Sequence, residues 1–212
     1  MGKRLSAAAV RKSLAGTCLL TAVLLFGSTS GRAQETTSTN LTSNCSECHG
    51  TDGLGFKPGI PHLNGQSEFL LTNMINAFRE GKRSTKVKDH RDIAAAAVAP
   101  LSRHYAQQKA QRPKSATNPE LVASGEALYL KRCAECHLDN GRDSDKEAPL
   151  TAAQDLKYLI AQTLAYSAGE RKFPYLMDEA YRGLSEADLT AIAHFFAAQD
   201  QEAPQQKRRR RR

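Results

Sequence analysis

Cys45-Ser46-Glu47-Cys48-His49 and Cys133-Ala134-Glu135-Cys136-His137 are two copies of one pattern, Cys-x-x-Cys-His, set 88 positions apart. The pattern is that of c-type haem attachment. Its two thiols can bond to the two vinyl groups of a porphyrin, and the two-residue gap lets both sulfurs face one ring. The histidine that follows then falls under the iron as its proximal ligand. Zinc held by two Cys-x-x-Cys pairs is the competing chemistry. The long separation and the histidine repeated in both copies weigh against it. The expected cofactors are therefore two covalently bound haem c groups, held by Cys45, Cys48, His49, Cys133, Cys136 and His137.

The amino terminus offers a route to haem attachment outside the cytoplasm. Lys3, Arg4, Arg11 and Lys12 form a positive region, and Leu14 to Phe26 is an apolar core too short to span a bilayer. Gly31-Arg32-Ala33 supplies small residues for cleavage, so residues 1–33 read as a signal peptide and the periplasm as the destination. Cys18 lies in that apolar core, in a poor lipoprotein context, and leaves with it. Of the five cysteines, the four that remain all belong to the haem motifs, so no thiol is left for a structural disulfide. Covalent haem must staple two domains that are small for building a core unaided.

The formal charge of +8 comes from the chain ends. Without the signal peptide and the tail Lys207 to Arg212, residues 34–206 carry 19 basic and 22 acidic residues. That balance does not suit a nucleic-acid binder. The halves differ: residues 34–116 hold 11 basic and 7 acidic residues, and residues 117–206 hold 8 and 15. Such asymmetry suits a carrier meeting different partners at its two ends, or it reflects solvated surface alone. The tail is too charged to pack and reads as disordered, able to touch an anionic membrane surface or an acidic partner.

The halves are an internal repeat. At an offset of 88, Pro61 matches Pro149, Gln66 matches Gln154, Leu71 matches Leu159, Phe78 matches Tyr166 and Gly81 matches Gly169. Further on the offset becomes 91, placing His104-Tyr105-Ala106 on Phe195-Phe196-Ala197. Each half reads as helical. Asn118-Pro119 is an N-cap and first-turn pair opening a helix toward the second motif. Leu156 to Ala168 has helical spacing. Ser185 with Asp188 resembles a capping box, opening a last helix whose buried stripe is Leu189, Ile192, Ala193 and Phe196. The first half gives a helix over Phe69 to Phe78 and a last element over Asp89 to Gln108, which Pro100 is expected to kink or split. Gln107 to Thr117 is the linker. The expected fold is all-α, a tandem pair of helical domains over 34–112 and 113–206, each wrapped around one haem.

Haem iron usually takes a sixth ligand, and methionine there raises the potential. In the second half Met177 sits in Phe173-Pro174-Tyr175-Leu176-Met177, expected as a loop before the last helix that can present its thioether to iron. The first half has no methionine between Gly81 and Gln108. Met74 lies within the middle helix and reads as core. Three options remain for the first iron: His90, Lys86, or an open site. The metal ligands are thus His49, His137, Met177 and His90, with Lys86 as the alternative. A proximal histidine usually donates its other ring N–H to a backbone carbonyl, and Pro61 and Pro149 can shape that loop. Tyr158, Tyr175, Arg171 and Lys172 are candidates to meet haem propionates. His62, His104 and His194 read as surface or satisfied core residues.

The chain resembles the periplasmic two-haem class I cytochromes c, including the c-four type and the cytochrome subunit of flavocytochrome c sulfide dehydrogenase. The resemblance rests on Asn40 to Gly50, Ile60 to Gln66 and Phe78 to Arg83, then on Gly125 to Tyr129, Met177 and Leu184-Ser185 with the final helix. It implies two cytochrome c folds related by a pseudo-twofold, propionates near the domain interface and electron exchange between the irons. It also implies a close crossing of the first and last helices at Gly125. Two departures stand out: no methionine for the first iron, and Leu138 in place of the usual glycine after the second motif. The expected role is an electron carrier, or the electron-transfer subunit of a dehydrogenase that could be a flavoprotein acting on reduced sulfur. A haem enzyme using a weakly ligated first iron on peroxide or a sulfur compound is the rival reading.

Overall fold

The computed structural model describes residues 42–143, 148–172 and 175–201. The expected signal peptide with Cys18, and the basic tail over 207–212, lie outside the described residues. All regular structure among the described residues is helical. The first half contributes α1 (42–49), α2 (Glu68–Arg79), α3 (Lys88–Arg91) and α4 (Ala95–Ala106). The second contributes α5 (Pro119–Arg132), α6 (Leu138–Gly141), α7 (Leu156–Ser167), α8 (Tyr175–Tyr181) and α9 (Glu186–Ala198).

Local chemistry sets the ends of these helices. The Asn118 side chain accepts from the backbone N–H of Glu120 and Leu121 at 2.8 and 3.4 Å, with Pro119 following where no donor is needed. Ser185 and Asp188 form the full capping box: Asp188 N–H donates to Ser185 Oγ, and Ser185 N–H donates to Asp188 Oδ2 at 2.9 Å. The last element of the first half is split as expected, but at residues 92–94 rather than at Pro100. Pro100 sits inside α4 on its exposed side. The break frees the Ile93 carbonyl, which accepts from Arg79 Nε at 2.6 Å and so ties α2 to the start of α4.

The two cores are unequal. In the second half, Tyr129, Leu159, Ile192, Ala193, Phe195, Phe196 and Ala197 form one buried cluster, in which the Tyr129 and Phe195 rings stack at 4.7 Å. The expected stripe on α9 is buried throughout. The first core is smaller, built on Leu71, Leu101 and Tyr105. Hydrogen bonds confirm the change of offset within the repeat. Gly65 N–H donates to the Tyr105 carbonyl, and its counterpart Ala153 N–H donates to the Phe196 carbonyl, each at 3.0 Å.

At Gly125, α5 crosses α9 so closely that a Cβ would run into the Ala191 carbonyl and stand 2.8 Å from Phe195 Cβ. The departure at Leu138 has a structural answer. In the first half Gly50 takes the left-handed conformation directly after the motif. In the second, that conformation moves on to Asp139 and Asn140, at φ 50° and 56°, residue types that tolerate it. Tyr129 holds the turn by donating to the His137 carbonyl at 2.8 Å and accepting from Asn140 N–H at 2.9 Å.

Gly125→Ala is expected to destabilise the protein by about 1–3 kcal/mol, the usual cost of overpacking, read as a lower denaturation midpoint at unchanged slope.

Candidate metal centres and the interface between them

The first motif closes α1. Cys45 is partly buried, Cys48 exposed, and His49 buried against the loop that follows. His49 Nδ1 lies 3.1 Å from the Pro61 carbonyl oxygen. As donor there, it leaves the Nε2 lone pair for a metal. The short helix α3 brings His90 to the same place, with the two imidazole centres 6.1 Å apart and the rings tilted by 31°. His90 packs on Phe78 at 4.8 Å, and its Nδ1 is 3.2 Å from Thr85 Oγ1. Burial lowers the pKa of both histidines. For His49 the Pro61 carbonyl opposes that shift; for His90 Arg83 adds to it and Asp89 opposes it. Both are thereby favoured in the neutral, metal-binding form. Lys86, the alternative, is exposed.

In the second half Cys133 caps α5, and the motif turns tightly, His137 N–H donating to the Cys133 carbonyl at 2.9 Å. Burial pushes the Cys133 thiol up to about 11, and burial with Asp89 also raises that of Cys45. Met177 lies within the first turn of α8, partly buried. The expected loop is therefore helical at this residue, while Phe173 and Pro174 lie outside the described residues.

The halves meet through paired contacts that follow the repeat. Gln66 donates through Nε2 to the Leu150 carbonyl and accepts from Leu150 N–H, both at 2.9 Å. Its counterpart Gln154 does the same to His62, at 2.9 and 2.7 Å. His62 is the repeat partner of Leu150, so each glutamine clasps the equivalent backbone position of the other half. Arg112, on the linker, is 5 % exposed and donates to the Asn64 side chain and carbonyl and to the carbonyls of Leu150 and Ala152. Burial draws its pKa down to about 9, which leaves it charged at neutral pH.

A second cluster spans the halves. Arg83 and Arg171 both donate to Gln162 Oε1, at 2.9 and 2.6 Å, and both reach Met74 Sδ, at 3.5 and 3.4 Å. Arg83 also meets the Tyr158 hydroxyl at 3.2 Å. Arg83 stands over the Phe78 ring at 4.5 Å and Arg171 over Tyr166 at 4.3 Å, again repeat partners. Met74 is thus an interface residue rather than core. Burial alone raises the Tyr158 pKa, but the two guanidiniums outweigh it and the net shift is downward. Neither guanidinium has a carboxylate partner among the described residues. The cluster can accept anionic groups such as haem propionates.

Of the sequence candidates, Tyr158 and Arg171 belong to this cluster, Lys172 is exposed, and the Tyr175 side chain lies outside the described residues. His104 Nε2 meets the Thr51 carbonyl at 2.7 Å, and His194 Nδ1 accepts from Asn118 N–H at 3.1 Å. Thr85 and Arg112 carry no motif and escape sequence reasoning, whereas Arg83 stands 88 residues before the candidate Arg171 and the repeat could have named it. The matched Gln66 and Gln154 were the available signal for the interface.

No known family model matches the chain. It is 28% identical over 171 residues to the thiosulfate dehydrogenase electron acceptor of Thiomonas intermedia, covering 74% of this chain and 79% of that protein. It is 27% identical to cytochrome c4 of Pseudomonas aeruginosa, over 72% of this chain and 82% of that one. Its fold matches reduced cytochrome c4 from Pseudomonas stutzeri with a TM-score of 0.67 at 22% identity, covering 77% of this chain and 97% of that one.

His62 makes the interface sensitive to acid. Burial first, then the Arg112 guanidinium and His49, push its pKa down to about 4, with Asp155 and Asp52 opposing. The unfolded chain takes up this proton near pH 6.5. The stabilisation is therefore complete above about pH 6.5 and is lost as the pH falls toward 4. The thermal midpoint is expected to drop between pH 7 and 4.5, and His62→Gln to flatten that slope in parallel melts.

Proposed function

We infer that this chain is a two-haem class I cytochrome c that relays single electrons from a periplasmic dehydrogenase to a terminal acceptor. Two covalently bound haem c groups are its cofactors, and they supply iron that changes oxidation state by one electron. The chain's own residues determine how each iron is held. Cys45 and Cys48 tether one haem and Cys133 and Cys136 the other, with His49 and His137 as proximal ligands. Pro61 orients His49 through its carbonyl. Met177 would supply a thioether to the second iron. Arg83, Arg171 and Tyr158 would receive propionates where the halves meet.

This reading is carried by the doubled Cys-x-x-Cys-His motif on a duplicated helical scaffold whose halves share one cationic cluster. The domains run over 34–112 and 113–206, and residues 1–33 direct export. A relative named as the electron acceptor of a thiosulfate dehydrogenase supports a dehydrogenase of reduced sulfur as donor. The acidic second half favours a basic acceptor surface.

Haem analysis of the purified, exported protein as its pyridine complex is expected to give two haems per chain, and one after Cys133→Ala with Cys136→Ala. A colourless, zinc-loaded protein would overturn the reading. Met177→Ala is expected to abolish the methionine-to-iron charge-transfer band of the oxidised protein.

A further inference from the structure

We infer that the first haem iron is held by two histidines, with His90 as the sixth ligand opposite His49. The inference rests on the two-haem reading above and deepens it at one iron. Two imidazoles bound through nitrogen on opposite faces of one metal, each bond about 2 Å long, have ring centres about 6 Å apart. His49 and His90 stand 6.1 Å apart. Their side chains come from elements some forty residues apart, α1 and α3, and nothing covalent imposes this spacing.

Both rings are also prepared for ligation in the same sense. His49 Nδ1 is engaged by the Pro61 carbonyl and His90 Nδ1 by Thr85 Oγ1, so Nε2 is the coordinating nitrogen in each. Thr85 is itself anchored, because its hydroxyl accepts from Val87 N–H at 3.1 Å at the entry to α3. The Phe78 ring supports the flank of His90, and Arg83 in turn covers Phe78. A histidine serving only as exposed surface needs no such support. Lys86 lacks it: its side chain is exposed, and an amine must lose its proton before it can bind iron.

The arrangement explains why a duplicated scaffold dispenses with methionine in one half. Methionine–histidine ligation raises a haem potential relative to paired histidines. Ligation by His49 and His90 makes the first haem the lower-potential site, where electrons enter. The half with Met177 becomes the exit.

The test is electron paramagnetic resonance with near-infrared magnetic circular dichroism on the oxidised two-haem protein, after haem counting. A count other than two defeats the reading beneath the inference. With two haems present, one low-spin centre with paired histidines and one with histidine and methionine are expected. His90→Ala is expected to convert one haem to a high-spin form that binds carbon monoxide when reduced, while Lys86→Ala leaves both spectra unchanged. His90→Met, which keeps a ligand in place, is expected to restore a low-spin iron at a higher potential. Spectra unchanged in His90→Ala, conversion in Lys86→Ala, or rapid carbon monoxide binding by the wild type would each overturn the assignment.

Discussion

A haem tethered through thioethers presents an iron with two faces, and an electron carrier usually meets both with donors from the chain. Meeting both fixes a distance across the ring, with a donor at each end. In the first half α1 and α3 bring the candidates His49 and His90 together, their ring centres 6.1 Å apart and their Nδ1 atoms held by Pro61 and Thr85. The Arg79 bond to the Ile93 carbonyl ties α2 to the start of α4, beside the break that follows α3. The small core of this half, Leu71, Leu101 and Tyr105, packs partly against Cys45 itself. Fold and cofactor site are therefore one object here.

The interface obeys a different constraint, that of repetition. Gln66 and Gln154 each saturate a donor and an acceptor on the opposite half. Arg83 and Arg171 share one glutamine and one methionine sulfur. Two half-buried guanidiniums without a carboxylate partner among the described residues leave positive charge that an anion can neutralise. A pair of propionate-bearing haems supplies such anions. The symmetry thus holds the halves in register, while the proposed axial ligands would make them chemically different.

Much of this was legible in the sequence, and what was not has physical reasons. Local rules gave the caps at Asn118 and Ser185 and the stripe on α9, because each depends on neighbours in the chain or on helical spacing, whereas the crossing at Gly125 came from the family resemblance. The repeat exposed Gln66 and Gln154 as equivalents, but not that each reaches across to the other half, since reciprocity exists only after docking. Arg112 looked like one more charge in a polar linker, and only the folded chain shows its four acceptors. Pro100 pointed to a break, yet the break lies at 92–94, where Ile93 gains a partner from Arg79. His90 could be nominated by residue type alone. Its distance from His49 is tertiary information.

A spectrally resolved redox titration bears most directly on the claim that a symmetric scaffold holds two dissimilar haems. The account predicts two separate one-electron steps, with the haem of the Cys45–Cys48 motif at the lower potential and the one retaining the methionine charge-transfer band at the higher. A single step with two indistinguishable potentials, or the reverse order, would contradict it.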